Sequence, residues 1–567
     1  MVGIPYRALH RAAHSPCSAL FDQSIRKPDV RRGDYTSLVA LLRTDTIEPS
    51  AVSYSAIVIA ISMRVSAICR RIIATDTGVL VLSAMALVAL HTATNGQYGF
   101  HRDELATIDD ARFLSWGYVV YPPITPFLAR VSMTLFGASM IGLRLFAALA
   151  VGIAMVMTGL MAREIGGRRP AQLVAAWAAA IAGPVVSFGY LFQYVSFDYL
   201  CWVLAAWVTI RLLKSGDQRW WLALGSVIGF GMMTKFTMAF LVAGIVCGIV
   251  LDRPRSLLSK WLWCGAAFAF LIFLPNLIWQ LRHNFITLDF LRFIHARDVR
   301  LGRADGFLLA QFWAVTNPVT VPIWIAGLYF LFFKPEGKRY RMLGWMYLIP
   351  LLILLFARGR PYYLAPAYPM LLAVGAVWGE QWLESLSPAT AVTIRRVARR
   401  SMVVSGLATA VLVLPLAPPG SRWWKIADAT NQNLNEEFGW REMTDAVIRA
   451  RDSLQADDAP IGVLAGDAGE AAAINLYGRG HGLPEVISGS NSHWLRGYGN
   501  PPPKTVIAAG FLRADLETVF ASCELAGHFT IPYGIENNAI GDHPDIFVCR
   551  HPNEPWDMFW KRFHSFG

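Results

Sequence analysis

Long apolar runs recur along this chain between residues 77 and 417, separated by short polar loops. They fall at 77–93, 141–162, 171–189, 194–212, 221–234, 237–251, 261–280, 308–333, 342–357, 362–383 and 401–417. A bilayer-crossing helix needs about 20 apolar residues, so the pattern predicts a polytopic α-helical membrane protein of about eleven spans. Upstream the pattern differs. Residues 1–72 carry many arginines, among them Arg31, Arg32, Arg64, Arg70 and Arg71. The apolar run at 53–63 is too short to cross and starts too late for a cleavable signal peptide. This part reads as a basic, disordered cytoplasmic extension. From 419 to 567 the apolar segments shorten. APIGVLAG (459–466), KTVIAAGF (504–511) and DIFVCRHP (545–552) predict strands. WREMTDAVIRARDSL and DLETVFASCEL predict helices between them. The chain therefore divides into an extension (1–72), a membrane part (73–418) and a small α/β domain (419–567).

Charge between the runs gives an orientation, because short basic loops stay in the cytoplasm. With the N-terminus inside, every even-numbered span ends in a basic loop. These loops hold Arg163, Arg168 and Arg169; Arg211, Lys214 and Arg219; Arg253, Arg255 and Lys260. Lys334, Lys338, Arg339 and Arg341 follow, and then Arg395, Arg396, Arg399 and Arg400. The α/β domain and the loop after the first span then face outward. So does RHNFITLDFLRFIHARDVRLGRAD (282–305), which breaks the rule with Arg282, Arg292, Arg297, Arg300 and Arg303. Two readings account for that loop: guanidinium groups holding a phosphorylated ligand, or an interfacial helix gripping lipid headgroups.

Composition agrees with the pattern. Only 16% of the residues are charged and 55% are hydrophobic, against about 25% charged in soluble domains. The net charge of +12 lies between apolar runs, which fits loops facing anionic lipid and not a nucleic-acid surface.

Carboxylates near hydrocarbon are costly, so Asp103 and Glu104 in HRDELATIDDARFLSWGYVVYPP (101–123) are candidates for chemistry. Outward-facing charges and aromatic groups join them. Asp198 ends the fourth span, Lys235 sits in a tight hairpin, and Arg358, Arg360, Tyr362 and Tyr363 occupy ARGRPYYLAPAYP. Together they put acidic, basic and aromatic groups on one membrane face.

These residues lie in an ordered series of motifs. After the acidic loop come GLRLFAALAVG (142–152), MAREIGG (161–167), IFLPNLIWQLRHNFITLDFL (272–291) and TNPVTVPIWIAGL (316–328). RGRPYYLAPAYPMLLAVGAV (358–377) and VLAGDAGEAAAINLYGRGHGLPEVISGSNSHWLRGYG (463–499) complete it. The series resembles the family 39 glycosyltransferases, bacterial relatives of the dolichyl-phosphate-mannose protein mannosyltransferases and of the lipid A aminoarabinose transferase. The resemblance covers residues 75–550. It implies a GT-C fold and inverting transfer of a sugar from polyprenyl phosphate to an envelope lipid, glycan or protein. The expected location is the periplasmic face of a bacterial inner membrane. It makes Asp103 the base and Glu104 a residue that orients either Asp103 or the acceptor, with Arg102 beside both. Asp198 becomes a sugar or acceptor contact. Lys235, Arg358 and Arg360 become contacts to the leaving phosphate, with Arg292, Arg297 and Arg300 as lipid-phosphate candidates. Relatives often carry Lys where Arg360 stands. The aminoarabinose transferases carry a Lys before the proline near 121, where this chain reads Tyr121–Pro122–Pro123. That departure argues against aminoarabinose as the sugar.

Several points stay open. GDAGEAAAINLYG suits either an anion-holding helix N-terminus or ordinary strand–helix packing. Asn491, His493 and Trp494 are weaker acceptor contacts. Cys523 and Cys549 are the only cysteines in the outer domain, and an extracytoplasmic setting permits a disulfide between them. No residue cluster suggests a structural metal, and a divalent ion at Asp103 and Asp198 is left open. The competing function is a transporter or flippase for a glycolipid precursor. A transporter should place charges near mid-span and show internal repeats, whereas here charges gather at span ends.

Overall fold

The structure, a computed structural model, describes residues 73–567 apart from 456, 457 and 459. The expectations for residues 1–72 lie outside the described residues, as do Cys17, Cys69, Arg70 and Arg71.

Each apolar run falls on helix, but not each run is a full span. Among the described residues, five helices are long and apolar enough to cross a membrane: Asp76–Thr94, Met140–Glu164, Tyr194–Ser215, Lys260–Arg282 and Glu336–Phe356. Two further runs are broken. Arg169–Ala180 and Gly183–Tyr190 meet at 71°, and Phe307–Val315 and Pro318–Phe333 meet at 99°. Pro184 and Pro318 sit at these breaks, where a missing N–H and a fixed φ interrupt the helix. By length and composition the count is therefore five to seven, below the eleven expected. The remaining runs miss for identifiable reasons. Trp220–Met232 and Met238–Asp252 have only 13 and 15 residues. Run 362–383 begins in the 3₁₀ segment Pro361–Ala367. Run 401–417 belongs to Pro388–Val413, whose first half carries Arg395, Arg396, Arg399 and Arg400.

Small residues let these helices approach closely. A Cβ on Gly375 would lie 1.8 Å from the Ile323 carbonyl oxygen, and one on Gly327 would lie 2.2 Å from that of Leu371. The basic loops assigned to one side do meet one another. Arg211 and Lys214 both reach Glu164 at 2.9 Å, Arg169 pairs with Asp76 at 2.6 Å, and Arg253 donates to the Arg339 carbonyl.

The C-terminal part is a mixed α/β layer. Strands β1 (Ile461–Ala465), β2 (Ile487–Ser488), β3 (Thr505–Ala509), β4 (Phe520–His528) and β5 (Asp545–Pro552) form one sheet in the order β2-β1-β3-β5-β4. β1 is parallel to β2 and β3, whereas β5 is antiparallel to β3 and β4. The expected strands correspond to β1, β3 and β5. The expected helix DLETVFASCEL is corrected: only Arg513–Glu517 is helical, and β4 starts at Phe520. Pairing decides this, because Cys523 lies directly opposite Cys549 and the two form a disulfide. The described residues pack as one compact unit.

What locks the sheet layer to the helices is a wholly buried ion triad. Arg144, inside Met140–Glu164, gives Nη2 to Glu104 at 2.7 Å and to Glu437 at 3.1 Å. Its Nε also reaches Glu104 at 2.9 Å, and Nη1 and Nη2 donate to the Asn95 and Gly99 carbonyls. Removing one partner of such a group leaves uncompensated buried charge, a cost of about 3–5 kcal/mol. Arg144→Met should therefore sharply lower the melting temperature in nanodiscs. Adding Glu104→Gln and Glu437→Gln should recover part of the loss; an unchanged melting temperature for Arg144→Met would contradict this role.

Candidate active site

The acidic loop folds as a short helix, Arg102–Asp110, because its own polar groups cap it. The His101 ring accepts from the Asp103 N–H at 3.1 Å, and Glu104 accepts from the His101 N–H at 3.0 Å. This reciprocal capping box satisfies two donors that the helix start leaves unpaired. First-turn acids also suit the positive end of the helix dipole.

Adjacent helix residues point about 100° apart, and this splits the expected catalytic pair. Glu104 is fully buried, with its oxygens taken by Arg144, the His101 N–H and the Phe192 N–H. It is placed as a structural anchor and does not touch Asp103's open side. The Asp103 side chain is 44% exposed and accepts from Gln193 Nε2 at 3.1 Å. Arg102 lies 3.8 Å from Asp103 and 3.4 Å from Glu436.

The residue after Gln193 continues the site. Tyr194 lies within electrostatic reach of Asp103, Arg360, Asp298 and Tyr363. The Lys235 ammonium lies 4.2 Å from the Tyr363 ring centre, 4.9 Å from Tyr194 and 5.7 Å from Tyr362. Such a tyrosine cage holds a desolvated cation by its ring quadrupoles. Asp198 is buried nearby; one oxygen accepts from Thr237 at 2.7 Å and the other has no hydrogen-bond partner. Arg360 grips Asp298 with two hydrogen bonds, at 2.5 and 2.6 Å.

Thus Asp103, Arg102, Lys235, Arg360, Tyr362 and Tyr363 come together, with Asp198 behind the lysine. The other arginines divide. Arg297 approaches Asp298 at 4.0 Å and donates to the Gly567 carbonyl, so it borders the site. Arg358 pairs with exposed Asp305 at 3.2 Å. Arg292 is 78% exposed and pairs with Asp289 on its own helix, and Arg300 is exposed. Leu288, Leu291 and Phe293 are exposed beside them on Ile286–Arg300, which fits the headgroup-gripping reading for that face.

The C-terminal candidates take structural places. His493 is buried 2.8 Å from Asp109, and Trp494 donates to the Trp560 carbonyl. Asn491 holds a positive φ of 52° at the start of a four-residue helix. The GDAGE turn is capped by its own Asp467 and Glu470, and Arg102 packs against Gly469. Its helix N-terminus is thus already supplied with carboxylates. Among the described residues, no group of three or more His, Cys, Asp or Glu side chains is arranged to hold a metal ion.

The sequence reading passed over three groups. Arg144 stands in the apolar body of a 25-residue helix, far from the charges Arg163 and Glu164 at its end, a signal by itself. Asp298 is the acid within the arginine-rich segment. Asp109 and Asp110 close the acidic helix and tie it to the α/β domain: Arg496 bonds both, Arg112 joins Asp109 to Glu485, and Tyr121 donates to Asp110 at 2.8 Å. The Tyr121 hydroxyl is spent on this structural bond.

Residues 120–279 match the profile of a family described as dolichyl-phosphate-mannose-protein mannosyltransferase. That segment is similar to this family. The resemblance to family 39 glycosyltransferases drawn from the motifs is borne out. The family segment contains Asp198 and Lys235; Asp103 and Arg360 lie outside it. An undecaprenyl phosphate-alpha-4-amino-4-deoxy-L-arabinose arabinosyl transferase 1 of Pseudomonas fluorescens is 26% identical over 296 residues, 48% of this chain and 52% of that protein. The lipid A galacturonosyltransferase RgtD of Rhizobium johnstonii is 25% identical over 336 residues, 55% of this chain and 65% of its own length. The chain thus spans about half to two thirds of the curated relatives it matches. In fold it resembles the crystal structure of ArnT from Cupriavidus metallidurans bound to undecaprenyl phosphate, with TM-score 0.54 and 14% identity. That superposition covers 84% of this chain and 98% of ArnT. The apo form of ArnT gives TM-score 0.52 and 13% identity, covering 83% of this chain and 98% of ArnT.

Two buried carboxyls near the site carry a pH signature. Burial pushes Glu437 up to about 8, with Arg144 opposing and Glu104 adding to the shift. Burial, then the neighbouring Asp467, likewise pushes Glu470 up to about 8. A carboxyl raised on folding binds its proton more tightly in the folded chain. The stability it contributes is complete below its ordinary range, near 4.5, and is lost as pH rises through about 8. The melting temperature should therefore fall between pH 6 and 9, and Glu437→Gln with Glu470→Gln should flatten that fall; an equally steep fall in the double variant would contradict it.

Proposed function

We propose that this protein is an inverting glycosyltransferase that moves a sugar from polyprenyl phosphate to a hydroxyl of an envelope acceptor, a lipid, glycan or protein. The reaction takes place on the periplasmic face of the inner membrane. The reading rests above all on one observation: Tyr194 has about it both Asp103, a half-exposed carboxylate, and the cations Lys235, 4.9 Å from its ring centre, and Arg360. The matched relatives' names, which specify an undecaprenyl-phosphate sugar or lipid A, support the donor class and a lipid A-like acceptor.

In this reading Asp103 takes the proton from the acceptor hydroxyl as its oxygen bonds to the anomeric carbon. The bond from that carbon to the phosphate oxygen breaks, and the electron pair leaves with polyprenyl phosphate. Lys235 and Arg360 stabilise the charge that collects there. Asp198, with its unpaired oxygen, accepts a sugar hydroxyl. Glu104 acts only by fixing the helix that carries Asp103.

The orientation follows the basic-loop alternation, with the N-terminus cytoplasmic and all eleven apolar runs inside the bilayer as spans or paired half-spans. The Cys523–Cys549 disulfide suits an oxidising compartment for the α/β domain.

Asp103→Asn should lower kcat for transfer from an undecaprenyl-phosphate sugar by about 100- to 10,000-fold. Undecaprenyl phosphate should still bind, as read by native mass spectrometry. Full turnover in this variant, turnover from a nucleotide sugar without a lipid intermediate, or labelling of residue 103 from the cytosol would overturn the proposal.

A further inference from the structure

Asp298 is a carboxylate at the centre of three guanidinium groups. Arg360 gives it Nε and Nη2, Arg303 Nη1 lies 3.2 Å away, and Arg297 Nε lies 4.0 Å away. The Asp298 side chain is only 7% exposed. A carboxylate this buried and this heavily bonded is a built feature, not a surface pair. It also joins two separate parts of the chain: Asp298 comes from Ile286–Arg300, and Arg360 from the turn before the tyrosine pair.

Arginine has five N–H donors in a rigid fork. Arg360 commits one edge to Asp298, which fixes the plane of its guanidinium, and no other described side chain accepts from it. Arg297 Nε is buried with no hydrogen-bond partner. The cluster therefore holds spare donors. Three guanidiniums against one carboxylate also leave these four side chains with a net charge of two positives. A donor phosphodiester carries a single negative charge, whereas a released phosphomonoester carries about −1.5 to −2 at pH 7. The cluster thus matches the leaving group better than the donor, the condition under which binding accelerates the step.

We propose that Asp298 is a positioning residue that ties Arg360, Arg303 and Arg297 into one cradle for the leaving polyprenyl phosphate. The inference rests on the glycosyl-transfer reading and deepens it. Asp298 acts through Arg360: it sets the angle at which the guanidinium presents its free edge, and it keeps three like charges from splaying apart.

The test uses the full chain in nanodiscs and undecaprenyl phosphate as ligand, measuring its Kd for the wild type, Asp298→Asn, Arg360→Lys and the double variant. Asp298→Asn should weaken binding about 10- to 100-fold, as expected when a binding group is displaced by an ångström. Arg360→Lys should do the same, and the double variant should be no worse than Arg360→Lys alone. Asp298→Glu, which restores the charge, should recover part of the affinity. Unchanged or tighter binding by folded Asp298→Asn overturns the inference, as do losses that multiply in the double variant. A lower melting temperature with unchanged Kd in the folded fraction also overturns it. A wild type that binds no undecaprenyl phosphate sinks the glycosyl-transfer reading itself, whereas wild-type binding with normal Asp298→Asn sinks this inference alone.

Discussion

One buried cation holds the architecture together. Arg144 lies inside an apolar helix, and two carboxylates from distant parts of the chain converge on it: Glu104 from the acidic helix and Glu437 from the start of the α/β domain. A single guanidinium balances one carboxylate, and burial leaves the second, Glu437, favouring its protonated form. The triad is then neutral in a dry interior, the condition under which buried charges persist. Because Glu104 is also the capping residue of the acidic helix, the same contact decides where Asp103 points. Fold and candidate chemistry are joined at one side chain.

Around that anchor, the candidate base and the candidate leaving-group cations have different supports. Asp103 stands on the side supported by Gln193, and the cations stand on the side of Lys235, Arg360 and the arginines around Asp298. Tyr194 bridges the two, following Gln193 in sequence and covering Lys235 with its ring. A displacement reaction needs this separation, since proton removal and charge departure occur on opposite sides of the reacting carbon. The α/β domain contributes by fixation. Arg496 and His493 fasten Asp109 and Asp110, so the last turn of the acidic helix is held by a part of the chain more than 300 residues away.

Much of this was legible in the sequence because it is periodic or repetitive. Apolar runs revealed most of the long apolar helices, although Ile124–Phe136 was missed, and the alternating basic loops brought together residues that meet one another. Span lengths were less legible: Pro184 and Pro318 break two runs, and closely packed short helices look like full spans when only hydropathy is read. The candidate site residues Asp103, Asp198, Lys235 and Arg360 could be named from charge in unusual places. The different fates of Asp103 and Glu104 could not, because adjacent acids look alike until the helix sends one inward to Arg144. Strand β4 was misread because its register depends on Cys549, which is 26 residues away. Asp298 was hidden among arginines, whose excess drew the reading toward an external phosphate before an internal carboxylate.

The central claim is that Asp103 and the Lys235–Arg360 pocket serve one reaction centre. A cryo-electron microscopy map of the full chain in nanodiscs with undecaprenyl phosphate tests it most directly. The account predicts the phosphate in hydrogen-bonding contact with Lys235 and Arg360, with open space for a sugar between it and the Asp103 carboxylate. A phosphate bound elsewhere on the bundle, or one screened from Asp103 by packed side chains, would contradict it.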